Sequence, residues 1–181
     1  KTIKVKELMV PLKEYATVPS EATLLEVVLA LEKAQVSLDP SRHKHRAILV
    51  LDEGGKVVSK ITMKDILLAL EPNYGKVEVM EVLERSGYSP DLIRSMLEGK
   101  ALWVEPLQFF RKRATKLKVG DFILAPSDTE YIDDNATLGE AIQQLVIYPY
   151  HSLLVTRGDE VVGILRLSDV FTQICDIIKG D

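Results

Sequence analysis

Apolar positions in this chain fall into runs that switch between the helical and the extended period. Leu24, Leu25, Val27, Val28, Leu29, Ala30 and Leu31 crowd one segment, so a helix over Thr23 to Gln35 is apolar on nearly every side. Such a helix is expected to be buried on two faces rather than one. Thr23 suits the N-cap, and Glu26 three residues later completes a capping box. Two short β-branched runs follow, Arg46 to Leu51 and Val57 to Thr62, around Asp52-Glu-Gly-Gly55. They predict a hairpin with a turn longer than two residues. Ile66 to Leu70 continues as a short helix that Pro72 stops.

The same succession returns later in the chain. Val5-Lys-Glu-Leu-Met9 resembles Val119-Gly-Asp-Phe-Ile123, and Val18 to Glu26 resembles Ile132 to Glu140, both displaced by 114 positions. Ala47 to Val50 matches Ser152 to Val155 at a displacement of 105, and Val57 to Asp65 matches Val161 to Asp169 at 104. The drop from 114 to 105 places an extra segment near Ser37 to His45 in the first repeat. In the second repeat Thr137 and Glu140 form the capping box, and Pro149 ends the helix. His151 to Thr156 and Glu160 to Leu165 flank the turn Arg157-Gly-Asp159, and a last helix runs from about Ser168 to Ile178 before Gly180.

Each repeat therefore reads β-α-β-β-α, in an α/β chain of the α+β type. A unit of this size cannot close its own core, so the two repeats are expected to pack as one pseudo-two-fold module. The boundaries are residues 1–70 for the first repeat, 71–118 for a connection and 119–181 for the second. The connection is long and not of low complexity. Ser89-Pro-Asp-Leu reads as a helix start, with Leu92, Ile93, Met96 and Leu97 at helical spacing. Val77, Val79, Met80, Val82 and Leu83 suggest another short helix, and Trp103 a docking residue. The segment is expected to be a helical insert. Its basic run Arg111-Lys-Arg113 with Lys116 and Lys118 suits the polar side of a helix, with a partner contact as the rival reading.

Composition narrows the function. The 181 residues are 46% hydrophobic and 28% charged, which excludes wholesale disorder. Lys and Arg number 23 against 27 Asp and Glu, a net charge of −4, which argues against nucleic acid as a partner. Aromatic residues at 6% weaken a single-strand stacking platform. The lone Cys175 excludes an intrachain disulfide and any multi-cysteine zinc site. No membrane-spanning run and no signal peptide are visible, which leads to a cytoplasmic expectation. The first residue is Lys1 rather than Met, as in a piece of a longer protein.

The ordered blocks Val5 to Met9, Ala22 to Glu26 and Ile61 to Asp65, returning as Val119 to Ile123, Ala136 to Glu140 and Leu165 to Asp169, resemble the CBS domain. The pair resembles a tandem CBS, or Bateman, module. The resemblance covers both repeats and not the long connection. It implies a regulatory module that binds an adenosine-containing ligand, such as AMP, ADP, ATP or S-adenosylmethionine, in the cleft between repeats. It also implies a homodimer and a fused or partner effector protein that reads the signal. No resident cofactor is implied beyond such a nucleotide.

Residue chemistry bears on the same site. Thr62 ends a strand and Asp65 lies in the first turn of the following helix, where free N–H groups favour an anion. A Thr hydroxyl there can donate to phosphate, and a carboxylate three residues on can accept from ribose hydroxyls. The same Thr-x-x-Asp spacing also makes a capping box, and residue types alone favour that simpler role. The resemblance shifts the weight to ligand binding by Thr62 and Asp65. In the second repeat Asp169 remains while Arg166 replaces the hydroxyl. Arg is a poor N-cap. Its guanidinium either contacts phosphate or fills the second pocket. Ser59 also stands where the second repeat has Gly163.

Arg42, His43, Lys44, His45 and Arg46, in the extra segment just before a core strand, are candidates because the resembling family often places phosphate-facing basic residues at this edge. A solvated loop is the rival reading. His43 and His45 are too isolated from other ligands to hold a metal. Thr17, Val18, Ile48 and Ile61 are candidates for the adenine wall in the first repeat, beside Tyr15 and Ala16. Ile132 and Ser152, with Tyr131, are their equivalents in the second. No nucleophile elbow, Walker loop, Rossmann glycine fingerprint or His-Glu-x-x-His is present, so no enzyme is expected. The rival function is a ligand-free assembly module that dimerises through the apolar helix faces.

Overall fold

The computed structural model describes residues 1–36, 45–70, 85, 87, 89, 91 and 108–180. The expectations for residues 71–84, for Leu92 to Leu97, for Trp103 and for Arg42, His43 and Lys44 lie outside the described residues.

A four-residue helix α1 (Val5–Leu8) leads into β1 (Val10–Pro11). The first repeat follows as β2 (Thr17–Pro19), α2 (Leu24–Val36), β3 (Ala47–Leu51), β4 (Val57–Thr62) and α3 (Met63–Leu70). Helix α4 (Gln108–Lys116) precedes the second repeat. That repeat comprises β5 (Tyr131–Asp133), α5 (Leu138–Ile147), β6 (Ser152–Arg157), β7 (Glu160–Arg166) and α6 (Leu167–Lys179). The β-α-β-β-α order is thus present twice. Among the described residues, no helix is long and apolar enough to cross a membrane.

Two sheets result. One has the order β2-β3-β4, with β2 parallel and β4 antiparallel to β3. The other has the order β1-β7-β6-β5, with the same pairing senses in its β5, β6 and β7. Both hairpins shift register at the same place in the repeat, between Val50 and Leu51 and between Val155 and Thr156. Gly55 and Gly158 take positive φ angles of 79° and 62° in the turns, the region glycine reaches without steric cost.

The central strands carry apolar runs, Ala47 to Leu51 and Leu153 to Val155, because both of their faces are buried there. Ile48 and Val50 pack under α2 with Val18, Leu24, Val27 and Ile61. Leu153 and Val155 pack under α5 with Ile132, Leu138 and Ala141. The alternate residues Leu49 and Leu154 point the other way and meet between the sheets, with Val10, Tyr15 and Ile164. This third core joins the repeats into one pseudo-two-fold module.

The opening segments are exchanged between the repeats. Val5 N–H donates to the Ala136 carbonyl at 2.9 Å, and Leu138 N–H to that of Ile3 at 2.9 Å. The counterpart is Val119 N–H to the Ala22 carbonyl and Leu24 N–H to that of Leu117, both at 2.8 Å. Val5 is buried in the second repeat's core and Val119 in the first's. Sequence spacing records that each half owns such a segment, and not which sheet it covers.

Both capping boxes form. Glu26 N–H donates to Thr23 Oγ1, and Glu140 N–H to Thr137 Oγ1, each at 3.2 Å. Helix α3 begins at Met63 rather than Ile66, because Thr62 and Asp65 make a third box and start the helix a turn earlier. Helix α6 ends on Gly180, whose φ of 83° lets its N–H reach the Asp176 and Ile177 carbonyls. Helix α4 docks on the first repeat through the buried Ala114, and Arg113 Nε donates to the Ala69 carbonyl at 2.9 Å. Its Arg111, Lys112 and Lys116 stay exposed, the polar-face role expected from their spacing.

Candidate functional site

A cavity of about 1390 Å³ opens between the repeats. The ends of β4 and β7 and the first turns of α3 and α6 form its walls. Thr62, Asp65, Ile61, Arg46, Ser152 and Arg166 all line it, as does Tyr15, so the fold gathers seven of the residues singled out from the sequence. Thr17 is half-buried in β2, away from this lining. Val18 and Ile48 belong to the core of the first repeat, and Ile132 to that of the second. His45 and Asp169 stand behind Arg166 rather than in the wall.

The two strand-to-helix junctions are built differently. At the first, Asp65 Oδ2 accepts from Thr62 N–H at 2.8 Å and from Thr62 Oγ1 at 2.9 Å. Asp65 N–H donates back to Thr62 Oγ1 at 3.2 Å. Asp65 Oδ1 takes no hydrogen bond among the described residues, which leaves an acceptor on the cavity wall. Arg46 and Lys64 are exposed on the same wall, and neither forms an ion pair among the described residues.

At the second junction Arg166 Nε and Nη2 donate to the two oxygens of Asp169, at 2.6 and 2.9 Å. Arg166 Nη1 lies 3.2 Å from His45 Nδ1. A guanidinium only donates, so Nδ1 accepts and the His45 proton sits on Nε2. His45 is 2% exposed, its carbonyl accepts from Gln35 Nε2, and its ring lies 4.2 Å from that of Tyr15. Burial pushes the Tyr15 hydroxyl up to about 12, against the opposing pull of Arg166.

Sequence reasoning missed a further polar group in the cavity. Lys60 Nζ donates to the Ser152 carbonyl at 2.9 Å and to Ser152 Oγ at 3.0 Å, and pairs with Glu130 at 3.4 Å. Burial holds the Lys60 ammonium below its usual range, while Glu130 opposes the shift. Nζ sits 5.9 Å from the centre of the Tyr150 ring, whose hydroxyl meets Ser127 Oγ and Thr129 Oγ1, both at 2.6 Å. Comparison of the repeats carried a signal for this group. At the displacements above, Lys60 stands where the second repeat has Ile164, and Glu130 stands where the first has Ala16. A charge pair has replaced an apolar pair.

The Ser59 and Gly163 positions also diverge for a visible reason. A Cβ on Gly163 would lie 2.6 Å from the Val10 carbonyl oxygen, because β1 pairs tightly with β7 there. In the first repeat Ser59 Oγ instead donates to the Leu124 carbonyl at 2.8 Å. The segment from Phe122 to Ser127 therefore stands off β4 and lines the cavity. Among the described residues, no group of His, Cys, Asp or Glu is arranged to hold a metal ion.

The family model of the CBS domain matches residues 5–72 and 119–176, which is more than half of the chain and falls on both halves of the module. The chain belongs to the CBS domain family. Solved CBS-pair structures share its fold. The CBS-pair protein CBSX2 from Arabidopsis thaliana superposes with a TM-score of 0.63 at 17% identity, over 99% of each chain. CBSX2 in complex with AMP gives 0.59 at 19% identity, over 97% of this chain and 98% of that one. The CBS domain of the bacterial CNNM/CorC family Mg2+ transporter in complex with ATP gives 0.59 at 16%, over 96% and 87%. No curated protein matches the chain in sequence.

Proposed function

We propose that this CBS pair is a regulatory sensing module, without catalytic activity of its own, that binds an adenosine-containing nucleotide in the cleft between its repeats. The observation that carries the reading is the Thr62–Asp65 junction on the cavity wall, with the Asp65 Oδ1 acceptor open beside Arg46 and Lys64. A carboxylate suits ribose hydroxyls, and a helix N-terminus with nearby cations suits phosphate. The AMP and ATP complexes of proteins with the same fold support the ligand class. The nucleotide acts by favouring one arrangement of the repeats or protomers over another, which an attached or partner effector reads. A single cysteine and a nucleotide ligand fit a cytoplasmic setting. The units are residues 1–70 and 119–181 as CBS repeats, with 71–118 as the helical insert.

Thermal melting with AMP, ADP, ATP and S-adenosylmethionine tests the reading. A ligand at a hundredfold excess over its Kd stabilises by about 2.7 kcal/mol through mass action. At this chain length that raises the melting temperature by about 5 to 10 °C. Asp65→Ala removes the response. No shift and no binding heat with any of the four sinks the proposal.

A second reading, assembly of two copies, rests on exposed apolar side chains of α3 and α6, of which Met63, Leu167 and Phe171 also border the cavity. Met63 and Leu67 on α3 are exposed, and so are their repeat equivalents Leu167 and Phe171 on α6. A patch that is itself pseudo-symmetric suits a self-complementary two-fold contact. Sedimentation at tens of micromolar tests it, and a pure monomer counts against it.

A further inference from the structure

We infer that this module takes one nucleotide per chain, not two, because Arg166 is an internal occupant of the second half-site. The inference rests on the sensing reading above and adds which half-site works and what disables the other. The two junctions are equivalent by repeat, Thr62 and Asp65 matching Arg166 and Asp169. A carboxylate that serves ribose hydroxyls needs an oxygen open to the cavity. Asp65 meets that condition and Asp169 does not, since both of its oxygens are taken by one guanidinium. Bidentate pairing of this kind fixes geometry as well as charge.

The occupant is itself locked. Arg166 is 8% exposed, and its third nitrogen is engaged by His45, which packs against Tyr15. Withdrawing Arg166 to admit a ligand would break both hydrogen bonds to the Asp169 carboxylate and the contact with buried His45. Removing one member of such a partly buried set is costly. An independent feature makes the same distinction between halves. Gly163 lets β1 close onto β7 on the Arg166 side, whereas Ser59 holds the equivalent segment off β4 on the Thr62 side. The edge of β7 is thus covered by a paired strand, whereas the edge of β4 meets a segment that lines the cavity.

Isothermal titration of the full chain with ATP and with AMP, checked by native mass spectrometry, reads the number of sites. The expected result is one site per chain, lost in Asp65→Asn. Arg166→Thr, which installs the first repeat's residue, raises the count to two if it melts as a folded protein. The wild-type count and the Asp65→Asn result stand whether or not that variant folds. Two sites in the wild type overturn the inference while leaving the sensing reading intact, whereas one site that survives Asp65→Asn overturns the inference and takes Asp65 out of the site, with nucleotide binding itself still standing. No binding by the wild type overturns the sensing reading and the inference with it.

Discussion

Arg166 holds both carboxylate oxygens of Asp169, at 2.6 and 2.9 Å, while the equivalent Thr62 holds one oxygen of Asp65 and leaves the other open. One substitution within a repeated motif has turned a capping box into an ion pair. The pair's side chains are 10% and 19% exposed, so solvent screens it only weakly. Arg166→Ala is expected to lower stability by about 3 kcal/mol, since it strands a partly buried carboxylate. Urea unfolding measures this, and a change below about 1 kcal/mol would mean that water replaces the guanidinium freely.

Thr62 has two candidate roles that one substitution separates. Thr62→Val removes the cap hydroxyl at similar volume and is expected to cost about 1 kcal/mol of stability. The same change at Thr137, which lies away from the cavity, costs a similar amount. Under the sensing proposal only Thr62→Val also weakens nucleotide affinity, roughly tenfold for about 1.4 kcal/mol. Equal affinity in the two variants would leave Thr62 as a cap alone.

Gly163 tolerates no side chain. Its Cβ would stand 2.6 Å from the Val10 oxygen and 2.9 Å from Met9 Sδ, and the first of these is backbone. Gly163→Ala is expected to cost about 2 kcal/mol by forcing β1 off β7. Ser59→Ala costs closer to 1 kcal/mol, the loss of one hydrogen bond. Chemical denaturation of both variants checks the order.

Tyr15 makes stability pH-dependent in the alkaline range. Its hydroxyl titrates at 10.0 in the unfolded chain and about 12 in the fold, with burial as the leading cause. Between these values the unfolded chain has lost a proton that the native state retains, so stability falls as pH rises. The contribution is complete below pH 10 and amounts to something on the order of 2 kcal/mol. Tyr15→Phe is expected to flatten the alkaline side of the stability profile. An unchanged slope would place the loss on other groups.

Exchange of the opening segments gives a prediction about cooperativity. Val5 is fully buried in the second repeat's core, so Val5→Ala is expected to cost about 2 kcal/mol there. Hydrogen exchange should rise in β5 and α5 rather than in β2 and α2. Loosening confined to the first repeat would contradict the exchange.

The chain's local rules were open to reading without a structure. Each capping box closes between residues three apart, so Thr23, Thr62 and Thr137 announce their helices in the sequence. Both faces of β3 and β6 are buried, so their apolar runs show where the core lies. The repeat displacement carried the architecture, because two small units that cannot close alone must share a core.

Tertiary structure decided what depends on partners far apart in the chain. The Arg166 to His45 contact spans 121 positions and the Lys60 to Ser152 contact 92, and no periodicity encodes such pairings. The sequence therefore determined that the strand-to-helix junction occurs twice, and it left Arg166 with two roles, phosphate contact or plug. Folding placed Asp169 within reach of its guanidinium and His45 behind it, and so closed one junction. It also brought Lys60 and Glu130 together across the repeats, and it set Val5 and Val119 in each other's halves. The physical reason is the same in each case: a motif fixes its own backbone, but only packing chooses what faces it.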